Sequence, residues 1–546
     1  MHTFNNKKNI GWWTQGKTEP EPGGDAVKKA ISRVTEPVFL LNMDGRLAVG
    51  RGGTITIGDL TEADPGAYPL CAYSPPLPPE NLGDPYFKKR HNLRYAYIAG
   101  AMANGITSVR MVQETGRAQM LGFFGAAGLS PDKIEAAIYS LKEHNLPFGF
   151  NLIHSPNEPE LEAAVVNLYL KHGIRLVSAS AYLDLTLSLV YFRVHGIHTD
   201  QSGNIVCPNR IIAKVSRVEV ARKFLSPPPE KLLAQLVERK MITTQEAALA
   251  ASIPMAEDLT AEADSGGHTD NRPAITLLPT MLALRDEIAK KYKYLTPLCV
   301  GLGGGIATPY STAAAFAMGA AYILTGSVNQ SCIEAGTSET VRKMLSEAGQ
   351  ADVTMAPAAD MFEMGVKVQV LKRGTMFPFR ALKLYDLYNM HENYESIPEK
   401  QRRVLEQDFF RCSFEESWDQ TKGFFLKRDP KQIELAGKDP KHKMALVFRS
   451  YLGQSSTWAT TGNPLRKMDY QIWCGPAIGA FNEWVKGSFL EKAENRKTVA
   501  IAMNLLYGAS VATRANLLRS YGVTLPADAG SFSPMDLSKI YRLLLD

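Results

Sequence analysis

The chain has 546 residues, 45% of them hydrophobic and 21% charged, with 61 Lys and Arg against 55 Asp and Glu. At about 150 residues per domain this length suggests two to four units unless one is a large barrel, and the balanced composition excludes wholesale disorder. A small positive surplus spread along the chain argues against a dedicated nucleic-acid stripe.

The N-terminal stretch MHTFNNKKNIGWWTQGKTEPEPGG has no apolar core of the kind a secretory leader carries. No later run approaches the roughly 18 apolar residues of a membrane span, so a cytoplasmic protein without a membrane span is expected. Trp12 and Trp13 are expected in a packed core. PVFLLNMDGRLAVG (37–50) reads as a hairpin turning at Asp44-Gly45, and YSPPLPPENLGDP (73–85) as a proline-rich connector. Residues 1–90 thus form an N-terminal accessory segment. Beyond it, short strand-like runs alternate with helical patterns at 95–102, 118–125, 147–153, 173–180, 210–216, 257–264, 298–304 and 321–327. Eight such runs fit a (β/α)8 TIM barrel, typically about 250 residues, better than a doubly wound sheet of five or six strands. The sixth, EDLTAEAD, is acidic and poorly apolar. Two connections are oversized: one near 190–210 holds a second hairpin, HTDQSGNIVCPN, and one near 226–252 an extra helical pair. Past residue 335 amphipathic helices dominate, as in SIPEKQRRVLEQDFF (396–410) with Ser396 as its N-cap. The expected organisation is α/β, with the barrel at 91–334 and a mostly helical region at 335–546. The six cysteines have no CxxC or Cys/His spacing, which excludes a zinc site and points to reduced thiols.

In barrels of this kind the loops after strands 7 and 8 often hold a phosphate. Here Gly303-Gly304-Gly305 follows the seventh run and opens a small-residue helix, so backbone N–H groups can approach an anion without side-chain interference. Thr325-Gly326-Ser327 after the eighth run adds two donors and a hydroxyl. A glycine turn that only lets helix and strand pack is the other reading; two such loops on consecutive strands favour the phosphate. The spacing does not fit the dinucleotide GxGxxG pattern with its later acidic residue.

AYIAGAMANGITSVRMVQETGRAQMLGFFGAAGLSPDKI (96–134) resembles the opening of the flavin-dependent barrels of the nitronate monooxygenase and FabK-type enoyl reductase group. ADSGGHTDNRP (263–273) is similar to that group's EAGGHxG loop, and GGGIATPYSTAAAFAMGAAYILTGS (303–327) to its FMN-phosphate segment. TMFPFRALKLYDLY (375–388) and SSTWATTGNPLRKMDYQIWCGPAIGAFN (455–482) look more narrowly like the PfaD-type enoyl reductases of polyunsaturated fatty acid and polyketide synthases. The resemblance implies FMN phosphate on the backbone of Gly304, Gly305, Ile306, Gly326 and Ser327. It implies Ala101 and Met102 beside the flavin ring, Asn151 and Lys214 at its pyrimidine edge, and Gly266 and Gly267 in a loop passing close to the ring. A lysine there has a physical reason, since a cation stabilises the charge that a reduced flavin accumulates.

His268 would then face the substrate side, with Lys214 the second catalytic candidate. The implied activity is NAD(P)H- and FMN-dependent reduction of 2-enoyl thioesters on acyl carrier protein, in which an imidazole donates a proton or hydrogen-bonds the thioester oxygen. Other synthase subunits and a homodimer are the implied partners. The rivals are a nitronate monooxygenase using dioxygen and a flavin-free structural subunit of a synthase. Asp270 departs from the group, which has glycine there; it either orients His268 or meets Arg272. The basic run Lys422, Lys427, Arg428, Lys431, Lys438, Lys441 and Lys443 reads as a solvated face or as a docking surface for an acidic carrier protein.

Overall fold

The computed structural model describes residues 9–58, 66–154 and 159–545, with the Lys427 side chain outside the described set. Every one of the eight expected runs contains a barrel strand: β1 (Tyr97–Ala99), β2 (Leu121–Phe124), β3 (Phe148–Ile153), β4 (Leu176–Ser180), β5 (Arg210–Val215), β6 (Asp258–Glu262), β7 (Cys299–Gly303) and β8 (Ile323–Thr325). All neighbours are parallel and the sheet closes in sequence order, Thr325 of β8 lying opposite Ala99 of β1. Alternation along the strands sends Ile98, Leu121, Phe123, Ile212 and Leu324 into an inner cluster, while Phe150, Val177 and Leu259 pack outward against the helices. Phe87, on the helix Pro85–His91, plugs the lower mouth and stacks on Tyr322 at 4.1 Å.

The acidic sixth run is a strand because its polar side chains find partners. Asp258, buried at the base of β6, accepts from Arg90 Nη1 at 2.5 Å and faces His91 Nε2 at 2.8 Å. Burial pushes its carboxyl up, but His91 and Arg90 outweigh that and hold it below the usual range. Thr260 bonds the Tyr322 hydroxyl at 2.8 Å, and Glu262 reaches the upper end. Both expected insertions are present, as the hairpin His198–Thr199 with Ile205–Val206 and the helices Glu230–Glu238 and Thr244–Ala250.

Residues before the barrel build a six-stranded antiparallel sheet. Its Asp44-Gly45 hairpin has both turn residues at positive φ, 49° and 80°, as a two-residue turn between right-twisted strands requires. Trp13 is fully buried there and donates to Gly52 O at 2.8 Å, whereas Trp12 is half-buried.

The region after 335 is mostly helical, with two strands outside that expectation, Val353–Pro357 and Lys367–Leu371. Gly267–His268 joins them as a third, antiparallel strand. The expected helix at 396 starts later, at Glu399 with Pro398 as its N-cap, and runs on as the π-helical turn Leu405–Phe410. The residue before a proline is driven out of the helical region, so Ser396 lies outside and donates to Asn393 O at 2.8 Å instead of capping. The long helix Thr498–Ser520 returns to the barrel, where Ala502, Met503, Leu506 and Tyr507 enter the main apolar cluster. No helix among the described residues is long and apolar enough to cross a membrane.

Arg514 on that helix is buried and donates to the carbonyls of Ile31 (3.2 Å), Arg33 (2.5 Å) and Glu36 (2.5 Å), closing the end of the helix Gly24–Ser32. Burial lowers its guanidinium to about 10, still charged at neutral pH. Replacing Arg514 by Met strands those carbonyls, and urea titration should show a loss of about 3 kcal/mol. An unchanged midpoint would mean the contacts add nothing.

Candidate active site

At the carboxyl end of the barrel, Gly304 (φ 86°) and Gly305 (φ 74°) take left-handed backbone. A Cβ on Gly304 would lie 2.7 Å from the Ala263 carbonyl, so the β7 loop and the β6 loop touch backbone to backbone. Gly305 and Gly326 instead face open space. Among the described residues, the backbone N–H groups of Gly304, Gly305, Ile306, Gly326 and Ser327 have no internal acceptor. The next N–H groups, of Ala307 and Thr308, are satisfied by Ser311 Oγ at 3.0 and 2.9 Å within the capping box of the helix Pro309–Ala317. The fold closes the later donors internally and leaves the earlier ones for something else, as an anion cradle does. The Ser327 hydroxyl also accepts from Gly475 N at 2.9 Å.

Ala101 and Met102 follow β1 in a bend fixed by Thr107, whose hydroxyl accepts from Met102 N (2.9 Å) and donates to Gly100 O (2.7 Å). Asn151, only 6% exposed, accepts from Ala127 N at 3.2 Å, and its Nδ2 has no acceptor among the described residues. Lys214 has the parity of the inward-facing Ile212, so it points to the upper barrel opening rather than to the helices. There it pairs with Glu262, the last residue of β6, which also accepts from Ser265 Oγ at 3.0 Å.

The loop Ala263–Pro273 closes on itself through Asp264 N to Arg272 O at 2.9 Å. Gln369, buried on the strand Lys367–Leu371, donates to Asp264 Oδ1 (2.7 Å) and Ser265 O (2.8 Å), and Asn271 also donates to Asp264 (2.8 Å). A Cβ on Gly266 would sit 2.6 Å from Cys474 Cα, which is why glycine is needed there, while Gly267 is needed for its φ of 78°. His268 then faces Asp360, Nε2 to Oδ1 at 3.2 Å. Asp270 neither orients His268 nor bonds Arg272. It accepts from Arg217 Nε (3.0 Å) and Nη2 (3.1 Å) and from Ser216 Oγ (2.6 Å), just past β5. The Arg217 hydrogen bond, working against burial and helped by Ser216, lowers its carboxyl to about 2.

The structure thus brings the glycine loops, Asn151, Lys214 and His268 to one end of one barrel. A family model described as nitronate monooxygenase matches residues 86–400, from the helix that plugs the barrel through the strands around Gln369. The chain belongs to the nitronate monooxygenase family. Its PfaD-type resemblance holds with that membership. The crystal structure of the enoyl reductase domain of MlnA, from the macrolactin biosynthesis cluster of Bacillus amyloliquefaciens, is 40% identical with a TM-score of 0.75, over 81% of this chain and 98% of that one. A polyunsaturated fatty acid synthase subunit from Thraustochytrium sp. is 42% identical over 93% of this chain and 34% of its own length. Polyketide biosynthesis protein PksE of Bacillus subtilis is 46% identical over 78% of this chain and 56% of its own. The chain therefore spans between a third and just over half of these curated relatives. A second family model, the inserted helical domain of [acyl-carrier-protein] S-malonyltransferase, matches residues 391–470.

For a nitronate monooxygenase family chain, the residues that sequence reasoning missed are Glu262, Asp360 and Gln369. The alternation in KVQVL was a legible strand signal for Gln369, and Glu262 ends a recognised strand; nothing local marked Asp360.

Two outcomes are expected. Gly266→Ala should lower both the melting temperature and any ligand affinity of this end, because the Cys474 backbone cannot yield to a Cβ; full retention of both would show that the contact relaxes. Asp270 titrates lower in the fold than the value of about 3.9 of an unfolded Asp, so its contribution is complete above about pH 4 and disappears as pH falls toward 2. Urea midpoints of Asp270→Asn should accordingly lie below the parent at pH 6 and converge with it in acid.

Proposed function

We propose that this chain is an enoyl reductase of a polyunsaturated fatty acid or polyketide synthase, reducing 2-enoyl thioesters on acyl carrier protein with NAD(P)H through FMN. The observation that carries the reading is the cradle of five unpartnered backbone N–H groups beside Asn151, Lys214 and His268, in a chain 40% identical to an enoyl reductase domain. The donor set fits FMN: peptide N–H groups for its phosphate, an amide donor on Asn151 and a cation on Lys214 for the edge of its ring.

When bound, FMN supplies hydride transfer from the nicotinamide to the β-carbon of the conjugated alkene. The chain supplies the rest. Gly304, Gly305, Ile306, Gly326 and Ser327 would hold the phosphate without a charged side chain, and Ala101, Met102, Gly266 and Gly267 would line the ring's site. His268 gives the proton required at the α-carbon as charge moves onto the thioester oxygen. Other synthase subunits and a second copy of the chain complete the proposed assembly. Within the basic run, Lys441 and Lys443 pair with Glu392 (3.4 Å) and Glu415 (3.0 Å), leaving Lys422 and Lys438 exposed to meet a carrier protein.

The purified protein should be yellow, bleach anaerobically with NADPH and regain its colour with a 2-enoyl thioester. A colourless protein that takes up no FMN, or turnover of a nitronate with oxygen and no NADPH, would overturn the reading. His268→Ala should slow reoxidation by the enoyl substrate about 100-fold, and slow reduction by NADPH much less; an unchanged oxidative half-reaction removes His268 from the chemistry.

A further inference from the structure

Resting on that reading, we infer that Asp360 is a positioning residue that holds His268 by Nε2, so that the proton leaves from Nδ1 and the ring acts as an imidazolium. The placement is built in three layers. Asp360 lies in the turn between Val353–Pro357 and Lys367–Leu371, and the second of these strands pairs with Gly267–His268, His268 opposite Val368. Backbone pairing sets where the ring starts, and the 3.2 Å contact to Asp360 Oδ1 sets where it points. Arg449, on the helix Pro440–Thr461, clamps the same turn by donating to Ala359 O (3.0 Å) and Glu363 Oε1 (3.2 Å).

The other charged groups around the loop are already engaged or repel a cation. Asp264 accepts from Asn271 and Gln369, Asp270 from Ser216 and Arg217, and Glu262 from Ser265 and Lys214, while Glu363 is held by Arg449. Arg272 is exposed on the loop. Among the described residues the His268 ring has no hydrogen bond other than that to Asp360, so Nδ1 is open. Burial pushes the Asp360 carboxyl up, but the His268 hydrogen bond and charge outweigh it and hold it below the usual range.

The chemistry follows from the occupied nitrogen. A neutral ring donating Nε2–H to Asp360 has a bare Nδ1 and can only accept. To protonate the substrate it must carry a second proton on Nδ1. As hydride reaches the β-carbon, the alkene electron pair moves onto the α-carbon and thioester oxygen. The Nδ1–H bond then breaks, the α-carbon–H bond forms, and the N–H electron pair stays on a neutral imidazole still bonded to Asp360. Solvent restores the proton. The step therefore needs the doubly protonated ring.

The test compares the parent with Asp360→Asn and Asp360→Ala in two measurements. One is the rate of reoxidation by a 2-enoyl thioester, with reduction by NADPH as the control; the other is the imidazole 15N NMR of His268 in the FMN-free protein, which reports which ring nitrogen holds the proton of the neutral ring. Asn keeps an acceptor for Nε2–H, so its ring should keep the Nε2–H tautomer and its reoxidation rate should stay within about twofold of the parent. Ala should lose that tautomer preference and about tenfold in reoxidation, because the ring is no longer aimed. A parent-like tautomer in the Ala variant, or a loss in Asn as large as in Ala, overturns the inference; so does an equal loss in both half-reactions, which marks a general structural defect. Failure of the parent to be reoxidised by any enoyl thioester sinks the proposed function instead, and the NMR shift still decides the contact.

Discussion

Two backbones meet at the candidate site with no side chain between them. Gly266 would drive a Cβ into Cys474, and Gly475 would drive one to 3.0 Å from the Ser265 carbonyl carbon. Close-packed interiors tolerate no overlap of the first kind, so Gly266 is confined to glycine, while a side chain at Gly475 would require the Ser265 backbone to give way; the two loops lie flush. Gly475 N then reaches Ser327 Oγ, which ties the loop after β6, the loop after β8 and the C-terminal chain into one block. The aim of His268 and the opening of the glycine cradle both depend on this contact, because each lies within a few residues of it.

The region after the barrel is thus part of the site's wall. Asp469 shows how it is fastened: fully buried, it accepts from the Tyr451 hydroxyl at 2.7 Å and pairs with Arg380, Arg411 (3.7 Å) and Arg466 (3.2 Å). A buried carboxylate left alone would be strongly destabilising, so this cluster requires the helix Pro440–Thr461 and the helix Phe377–Met390 to stay together. The segment matching the malonyltransferase insert is joined in this way to the strands that carry Gln369 and hold His268. The helix Thr498–Ser520 closes the circuit by packing on the helix after β7, with no room at Gly508 for a Cβ beside Pro309.

The barrel was readable because each strand is a short apolar run and each βα unit repeats, a local signal that the closed sheet only had to confirm. EDLTAEAD is the instructive case: its acids belong to a strand whose partners Arg90 and His91 lie far upstream, and no local pattern carries that information. Asp270 fails for the same reason. Its neighbours in sequence, His268 and Arg272, were the natural candidates, but the turn at Asn271, φ 49°, leaves it facing Ser216 and Arg217 on the loop after β5. Gly266 was legible as a residue that must be glycine, while the cause, the backbone of Cys474, lies two hundred residues away in sequence. Patterns with period 2 or 3.6 report which face is buried; only the fold reports what that face meets.

The charges at the upper end follow a common plan. Lys214 has Glu262, Arg217 has Asp270, and His268 has Asp360, each pair bridging two different segments of the chain. The effect of these pairs is directional, since each fixes one segment against its neighbour. On the proposed reading, with Lys214 and Arg217 already paired, the attraction for a phosphate on the β7 and β8 loops falls to peptide dipoles, which are fixed by the backbone and need no side chain to be ordered on binding. On that reading, selectivity for a flat, phosphate-bearing ligand comes from the unpartnered N–H groups and the open space at Gly305 and Gly326. That arrangement also explains why the motif reads so clearly in the sequence: a site made of backbone must be spelled in glycine.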